Sequence, residues 1–119
     1  GRGEDLMKGV ISYEIVRLMK EGLSPQKACE KAVRELDARL KRTRGEAGDI
    51  SVVAMNRNGD FGAATNIDNF SFVVATKSLA PTVFRVHPQP DGTMSHELAS
   101  KEWLESYLEE RMKPLEVKE

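Results

Sequence analysis

The 119 residues of this chain suffice for one domain, and an apolar fraction of 39% suffices for one modest core. Eighteen Lys and Arg against nineteen Asp and Glu give a formal net charge of −1, which excludes the overall positive field typical of proteins that bind nucleic acid or anionic lipid. The single cysteine, Cys29, excludes an internal disulfide framework and a multi-cysteine zinc site, and no apolar run approaches the ~20 residues that cross a bilayer.

Two helices are predicted first. From Glu4 to Glu21, apolar residues recur at three- and four-residue steps, which indicates a helix with one broad buried face. Ser24-Pro25 begins a second helix, because the hydroxyl can cap free N–H groups and proline needs no N–H at the first helical position. Polar, glycine-containing sequence from Lys41 to Gly48 predicts a loop. The expected inner face of the second helix is Ala28, Cys29, Ala32, Val33, Leu36 and Leu40.

The pattern then becomes that of strands. Ile50–Met55 and Phe61–Thr65 flank Asn58-Gly59, a dipeptide that favours a hairpin turn. Phe70–Ala75 is predicted as a third strand, and Thr82–His87 as a short fourth strand. This order predicts an α+β fold in which two antiparallel helices lie on one antiparallel sheet, shared by the hairpin and the aromatic third strand.

The last segment differs in composition. We expect residues 1–87 to form one unit, and residues 88–119 to form a connector and an amphipathic helical tail from Ser100 to Lys113. The apolar residues of that tail recur at helical spacing, with acids between them: Trp103, Leu104, Tyr107, Leu108 and Met112. This stripe leaves open an alternative function as a non-catalytic, partner-binding module.

Several side chains with potential chemistry have simpler structural interpretations. Cys29 lies among small apolar residues, which favours a buried, unreactive thiol. His87 and His96 have no neighbouring cysteine or helical partner to complete a metal site, which favours surface histidines. Three acids lie at strand ends or turns and are ordinary turn formers: Asp49, Asp60 and Asp68. We therefore expect no metal ion and no cofactor.

A short basic cluster follows the second helix: Arg39, Lys41, Arg42 and Arg44. It raises the alternative of nucleic-acid binding, because two short helices of this kind resemble a helix-turn-helix pair. The outer face of the second helix is mixed in charge, so we favour cations that interact with the helix C-terminus and need no partner. We predict neither a nucleic-acid partner nor a membrane.

The chain opens on Gly1-Arg2-Gly3, just before the first helix. Two glycines there leave backbone groups bare near a helix N-terminus, which suits a small anionic or zwitterionic ligand. Their spacing alone favours a flexible terminus or a cloning remnant. With no initiator Met, the sequence is expected to be cut from a longer chain. No residue pattern places a nucleophile beside a base.

Five segments, taken in order, resemble the C-terminal part of the small subunit of the glycosylasparaginases, type-two asparaginases and isoaspartyl peptidases, which are N-terminal nucleophile hydrolases. The matching segments are Gly1–Asp5, Ser12–Met19, Gly22–Cys29, Val53–Ala64 and Phe70–Val74. The likeness covers residues 1–76. The link from Asn66 to Phe70, followed by the strand Phe70–Val74, resembles the glycosylasparaginase branch more than the plant-type asparaginases.

This resemblance implies an αββα sandwich and an amidohydrolase that cleaves the side-chain amide of asparagine or glycosyl-asparagine. It implies that autoproteolysis frees an upstream threonine, whose hydroxyl attacks while its own amine serves as base. Gly1, Arg2 and Gly3 match the Gly-x-Gly segment of the family and are thereby implied as substrate contacts. An L-asparaginase or isoaspartyl peptidase of the same family is the alternative.

The resemblance also implies a missing partner. The nucleophile threonine belongs upstream of these residues, so this chain alone is not expected to be active. It should require the N-terminal part of the same precursor, and a sheet edge should remain unpaired where that part belongs. A homo-oligomer is a further option that the sequence leaves open.

Overall fold

The computed structural model describes residues 7–68 and 70–112, with residues 7–9 described by their backbone alone. The elements in chain order are α1 (Met7–Lys20), α2 (Pro25–Arg44), β1 (Ser51–Met55), β2 (Phe61–Thr65), β3 (Phe70–Val74), β4 (Thr82–Pro88), β5 (Met94–Leu98) and α3 (Lys101–Met112). The strands pair antiparallel in two sheets, of order β1-β2 and β3-β4-β5. The predicted α+β class is confirmed.

Helices α1 and α2 pack side by side, and the turn between them contains Gly22 at a φ of 109°. Ser24 caps α2: its Oγ accepts a hydrogen bond from the N–H of Lys27 at 3.2 Å, and Pro25 follows at the start of the helix. The prediction of two packed helices joined by a tight turn is confirmed.

The C-terminal end of α2 differs from the prediction. Gly45 adopts a left-handed φ of 81°, and its N–H donates to the carbonyl of Lys41 at 2.9 Å. The predicted loop from Lys41 to Gly48 was therefore wrong over its first half, where the helix continues to Arg44. Basic residues are good helix formers, and the helix ends only at the first glycine.

Strands β1 and β2 form the predicted hairpin. The side-chain oxygen of Asn56 organises its loop by accepting hydrogen bonds from the N–H groups of Asn58 and Asp60, each at 3.0 Å. Gly59 has a φ of 85°, which favours glycine over residues with a Cβ. The hairpin prediction, based on the Asn-Gly turn, is confirmed.

Strand β3 does not join this hairpin, so the expectation of one shared sheet was wrong. It pairs with β4, and β4 pairs with β5, which makes a second, three-stranded sheet. The two sheets contact each other through a buried cluster of Ala63, Phe72, Val74 and Val86. Backbone pairing therefore stops at β2, and side-chain packing joins the sheets.

The predicted connector after Pro88 is also wrong in part, because Met94–Leu98 forms β5. A tight turn reverses the chain: the N–H of Gly92 donates to the carbonyl of Gln89 at 3.0 Å, and Gly92 has a φ of 87°. The expected division between residues 1–87 and 88–119 falls inside β4 and stays a prediction.

The main core lies between the two helices and the hairpin. Small residues let α2 approach β2 closely: a Cβ on Gly62 would come within 2.3 Å of the backbone of Gln26. The buried members of this core are Ile11, Ile15, Leu18, Ala28, Cys29, Ala32, Val33, Leu36, Leu40, Ile50 and Ala64. The predicted inner face of α2 is confirmed in full.

Candidate functional site

The residues expected to contact a substrate, Gly1, Arg2 and Gly3, lie outside the described residues, so their role stays a prediction. Helix α1 (Met7–Lys20) begins four residues after Gly3. Helix α1 is firmly held, because Ile15 and its apolar neighbours are buried against α2. In the sequence, the predicted site residues therefore precede a helix that is part of the main core.

Cys29 is buried, as predicted. Its Sγ lies 3.8 Å from the carbonyl oxygen of Gly62. Burial, reinforced by the charge of Glu30, raises the pKa of this thiol to about 12. Such a thiol remains protonated at neutral pH, which disfavours a role as nucleophile or metal ligand.

The two histidines lie in separate environments, and both are half-buried. His87 Nε2 is 2.8 Å from Glu97 Oε1, and the hydrogen bond with His87 is the main reason that the pKa of Glu97 lies below its ordinary value. His96 lies edge-on to the ring of Phe72, with its Nε2 3.4 Å from the carbonyl of Ala63. Within residues 7–68 and 70–112, no three potential ligands cluster around a metal position.

The basic residues 41, 42 and 44 occupy the last turn of α2, as the helix-terminus interpretation requires. Lys41 pairs with Asp37 at 2.9 Å. Burial raises the pKa of Asp37, but hydrogen bonds from Asn66 and Lys41 outweigh burial and hold the pKa below its ordinary value. These charges stabilise the junction of α2 with the hairpin, since Asn66 also hydrogen-bonds the backbone of Ile50 and of Gly48.

A side chain closes the outer edge of β2. Gln26 Oε1 accepts a hydrogen bond from the N–H of Ala63 at 2.8 Å, and Gln26 Nε2 donates to the carbonyl of Ala63 at 2.9 Å. These are the two bonds that a neighbouring strand would make with a residue of β2. At Ala63, Gln26 therefore takes the place of a neighbouring strand, and β3 pairs with β4 instead.

Gln26 is the first of three polar residues, four apart, on one face of α2, and the other two, Glu30 and Arg34, contact the β4–β5 hairpin. The carboxylate of Glu30 accepts hydrogen bonds from Gln26 Nε2 at 3.1 Å and from the N–H of Met94 at 2.7 Å. Arg34 lies against Gly92, where an added Cβ would be 3.1 Å from Arg34 Cδ. This stripe was not predicted from the sequence, although a spacing of four residues places polar side chains on one face of a helix.

The outer edge of β1 has no strand partner among the described residues. Since Ala63 points its N–H and carbonyl away from β1, its register partner Val53 points its own N–H and carbonyl outward. Ser51 and Met55 follow the same alternation. A largely apolar groove of about 410 Å³ separates this strand from α1. The α1 residues that line it are Ile11, Ser12, Ile15, Val16 and Met19.

Helix α3 forms as predicted, begins after Ser100, and buries none of its side chains. A cation–π contact joins α3 to β4, because the guanidinium of Arg85 lies 5.3 Å from the ring centroid of Trp103. Within α3, the ring of Trp103 stacks on that of Tyr107 at 5.2 Å. None of the helices within the described residues is long and apolar enough to span a membrane.

Comparison with known proteins identifies the family. A family model described as asparaginase matches residues 1–84. A curated protein of Elizabethkingia miricola, N(4)-(Beta-N-acetylglucosaminyl)-L-asparaginase, is 36% identical over 76 residues, which are 62% of this chain and 22% of that protein. The chain thus spans about a fifth of the length of this relative. No solved structure matches significantly. With most of its length matched, from the opening glycines to the first residues of β4, this chain belongs to the asparaginase family.

Proposed function

We propose that this chain is part of an amidohydrolase that cleaves the side-chain amide of glycosyl-asparagine or asparagine. The observation that carries the proposal is the family match over residues 1–84, which includes the opening glycines, α1, α2 and the hairpin. The name of the relative that is 36% identical favours a glycosyl-asparagine among these substrates.

The nucleophile in this proposal comes from another part of the same protein. It is a threonine freed by autoproteolysis, whose hydroxyl attacks the amide carbonyl while its α-amine takes the proton. Two candidate nucleophiles near the main core are unsuited to the role: the Cys29 thiol is buried with a raised pKa, and the Ser51 hydroxyl bonds the buried Thr65 hydroxyl at 3.0 Å. An outside nucleophile is consistent with a chain that spans 22% of its relative.

Gly1, Arg2 and Gly3 are proposed to form one wall of the substrate pocket. Without a Cβ, the two glycines let the substrate approach the backbone, and the nearby N-terminus of α1 favours a negatively charged group. The buried face of α1 and the Asn66 network would hold this wall in place, because they tie α1, α2 and the hairpin into one core.

A substrate comparison tests the proposal. The complete protein that contains this chain is assayed with N-acetylglucosaminyl-asparagine, asparagine and a β-aspartyl dipeptide. We expect the highest kcat/KM with the glycosyl-asparagine. Highest activity on asparagine or on the dipeptide would instead support the alternative of an L-asparaginase or isoaspartyl peptidase. No turnover of any of the three by properly cleaved protein contradicts the proposal.

A second candidate function rests on α3. Its buried surface is small, and Leu108 and Met112 are exposed, which suits a helix that docks on a partner. The double substitution Leu108→Glu with Met112→Glu should leave hydrolysis unchanged if α3 serves only such a partner. Sedimentation of the wild-type and substituted proteins then reports whether an association depends on this face.

A further inference from the structure

We propose that α3 of one copy of the protein docks in the groove between α1 and α2 of a second copy. The inference rests on the second candidate function, in which α3 serves a partner, and it names that partner. The proposed hydrolysis does not depend on it, because α3 lies beyond the residues 1–84 that match the family.

The first component is a groove of about 470 Å³ between the two helices. Its apolar lining consists of Val10, Ile11, Ala32, Leu36 and Ala38. Val10 is 55% exposed, so this lining is open to the outer side of the helix pair. Arg39 and Arg42 line the groove on the side of α2. The groove therefore combines an exposed apolar surface with two guanidinium groups.

The second component is one face of α3. Leu104, Leu108 and Met112 recur every four residues and form an apolar stripe. Leu108 is 57% exposed and Met112 79% exposed, and α3 buries none of its side chains. Glu105 and Glu109 follow the two leucines and flank the stripe on one side. An apolar stripe beside two carboxylates is the complement of the groove.

The two helices also carry opposite charges. Between residues 37 and 44, α2 has four cations and one acid, whereas α3 has four acids and two cations. The groove itself is lined by two acids, but Glu14 pairs with Arg17 and Glu35 with Lys31, each on its own helix. Apolar contact and charge therefore both favour α3 in the groove, which is the helix-in-groove mode of recognition.

The lengths of the two surfaces agree. The stripe from Leu104 to Met112 covers about 12 Å of helix, and the α2 side of the groove, from Ala32 to Arg42, covers about 15 Å. Helix α3 can therefore lie along the groove at the separation of packed helices, which is about 8–10 Å. In that position its acidic flank lies beside the arginines of α2.

Helix α3 does not reach the groove of its own chain. Phe84 and Val86 of β4 pack toward the hairpin, so Arg85 points to the opposite face of the sheet. Trp103 joins α3 to that opposite face through Arg85. Helices α1 and α2 pack on the other side of the hairpin. The hairpin and the second sheet thus separate α3 from the groove, and the helix that fills the groove belongs to a second copy.

This placement makes the contact head-to-tail. Because the groove and α3 lie on opposite surfaces, two copies cannot fill each other's grooves at once, and a third copy can join the pair. Two α3 helices are poor partners for each other, because each carries an excess of acids. A single helix of 12 residues buries less than the roughly 1,200–2,000 Å² of a stable interface, so the association should be weak and depend on concentration.

An exchange of charges tests the inference in the complete protein. The weight-average sedimentation coefficient of the wild type should rise about 1.5-fold between about 1 and 500 μM. Glu105→Arg with Glu109→Arg should abolish this rise, and so should Arg39→Glu with Arg42→Glu, because like charges then meet in the contact. An equimolar mixture of the two double variants should restore the rise, since the reversed α3 of one complements the reversed groove of the other.

Three sedimentation results overturn the inference. They are a constant coefficient for the wild type, a rise that either double variant retains, and a mixture that stays unassociated. A rise that is lost in Leu108→Glu with Met112→Glu but kept in both charge variants also overturns it, because α3 would then dock on a different surface.

Cross-linking locates the contact without a change of charge. The Val10→Cys protein is mixed with either the Leu108→Cys protein or the Ser106→Cys protein, and a short bismaleimide is added. Residue 106 lies on the opposite side of α3 from the stripe and provides the matched control. Cys29 should not react, because its thiol is buried and protonated. We expect at least about tenfold more of the cross-linked pair with Leu108→Cys than with Ser106→Cys, and equal yields overturn the inference.

Hydrolysis is measured in the same samples. Neither pair of charged residues belongs to the proposed pocket, so kcat/KM of both double variants should stay within about twofold of the wild type. Turnover without association refutes only the docking of α3. Association without turnover refutes only the proposed hydrolysis.

Discussion

The side-chain amide of Gln26 makes both hydrogen bonds that a neighbouring strand would make with Ala63, at 2.8 and 2.9 Å. One side chain thereby ends the β1–β2 sheet on that side and fixes the first turn of α2 against β2. It also leaves β3 to pair with β4. The layered arrangement of the chain depends on this contact between residues 37 positions apart.

Substitution Gln26→Leu should destabilise the protein markedly. It removes both hydrogen bonds between Gln26 and the Ala63 backbone, so that the N–H loses its partner and the carbonyl keeps only the longer 3.4 Å contact with His96 Nε2. Each unsatisfied buried group costs about 1–3 kcal/mol. We expect a loss of about 2–4 kcal/mol in the free energy of unfolding, measured by urea denaturation. Lys27→Ala, one residue along and exposed, is the control. Equal urea midpoints for Gln26→Leu and Lys27→Ala would contradict the prediction, because they would show that water satisfies the Ala63 backbone groups as well as the Gln26 side chain does.

Gly62→Ala should be among the most damaging single-methyl changes. The added Cβ would lie 2.3 Å from the N and Cα of Gln26, both backbone atoms, so α2 would have to move away from β2. Overpacking of this kind costs about 1–3 kcal/mol, and we expect the upper end. Gly48→Ala is the control, because no atom lies within 4 Å of its added Cβ. The midpoints of thermal unfolding of both variants test this prediction. A midpoint for Gly62→Ala as high as that for Gly48→Ala contradicts it.

Asp37 should make stability depend on acid pH. Its pKa in the folded protein lies below the ordinary value of about 3.9, so Asp37 contributes stability above that value and loses it as pH falls through the folded pKa. In Asp37→Asn, the free energy of unfolding should therefore fall less between pH 5 and pH 2 than in the wild type. Asp49→Asn, at an exposed position, should retain the wild-type slope. Denaturant titrations at several pH values measure the slopes, and identical slopes for all three proteins would exclude this role.

Gly3→Val should impair hydrolysis without unfolding the protein. If the backbone of Gly3 contacts the substrate, a branched side chain there blocks the approach and should reduce kcat/KM by about 100-fold or more. Gly48→Val, beyond the C-terminus of α2 and free of close contacts, should leave kcat/KM within about twofold of the wild type. Unchanged kcat/KM in Gly3→Val would remove Gly3 from the pocket.

Local patterns predicted most of the elements. The helix start at Ser24-Pro25 and the turn at Asn58-Gly59 are where the sequence placed them, because caps and turns depend on neighbouring residues. The ordered segments also identified the family. The loop predicted from Lys41 was misplaced because Lys41–Arg44 contains no apolar residues whose spacing would indicate a helix. The only local signal for the end of α2 is Gly45.

The sequence by itself determined the order of elements from α1 to β4, the buried face of α2 and the family, since these depend on periodicity and on residues close together in the chain. Only the tertiary structure decided which strands share a sheet, that Met94–Leu98 is a strand, and which edge of the hairpin stays open. The physical reason is that the pairing of an edge strand depends on which groups, often distant in the sequence, hydrogen-bond its outward N–H groups and carbonyls. In this chain, Gln26 reaches Ala63, and no local pattern encodes that contact.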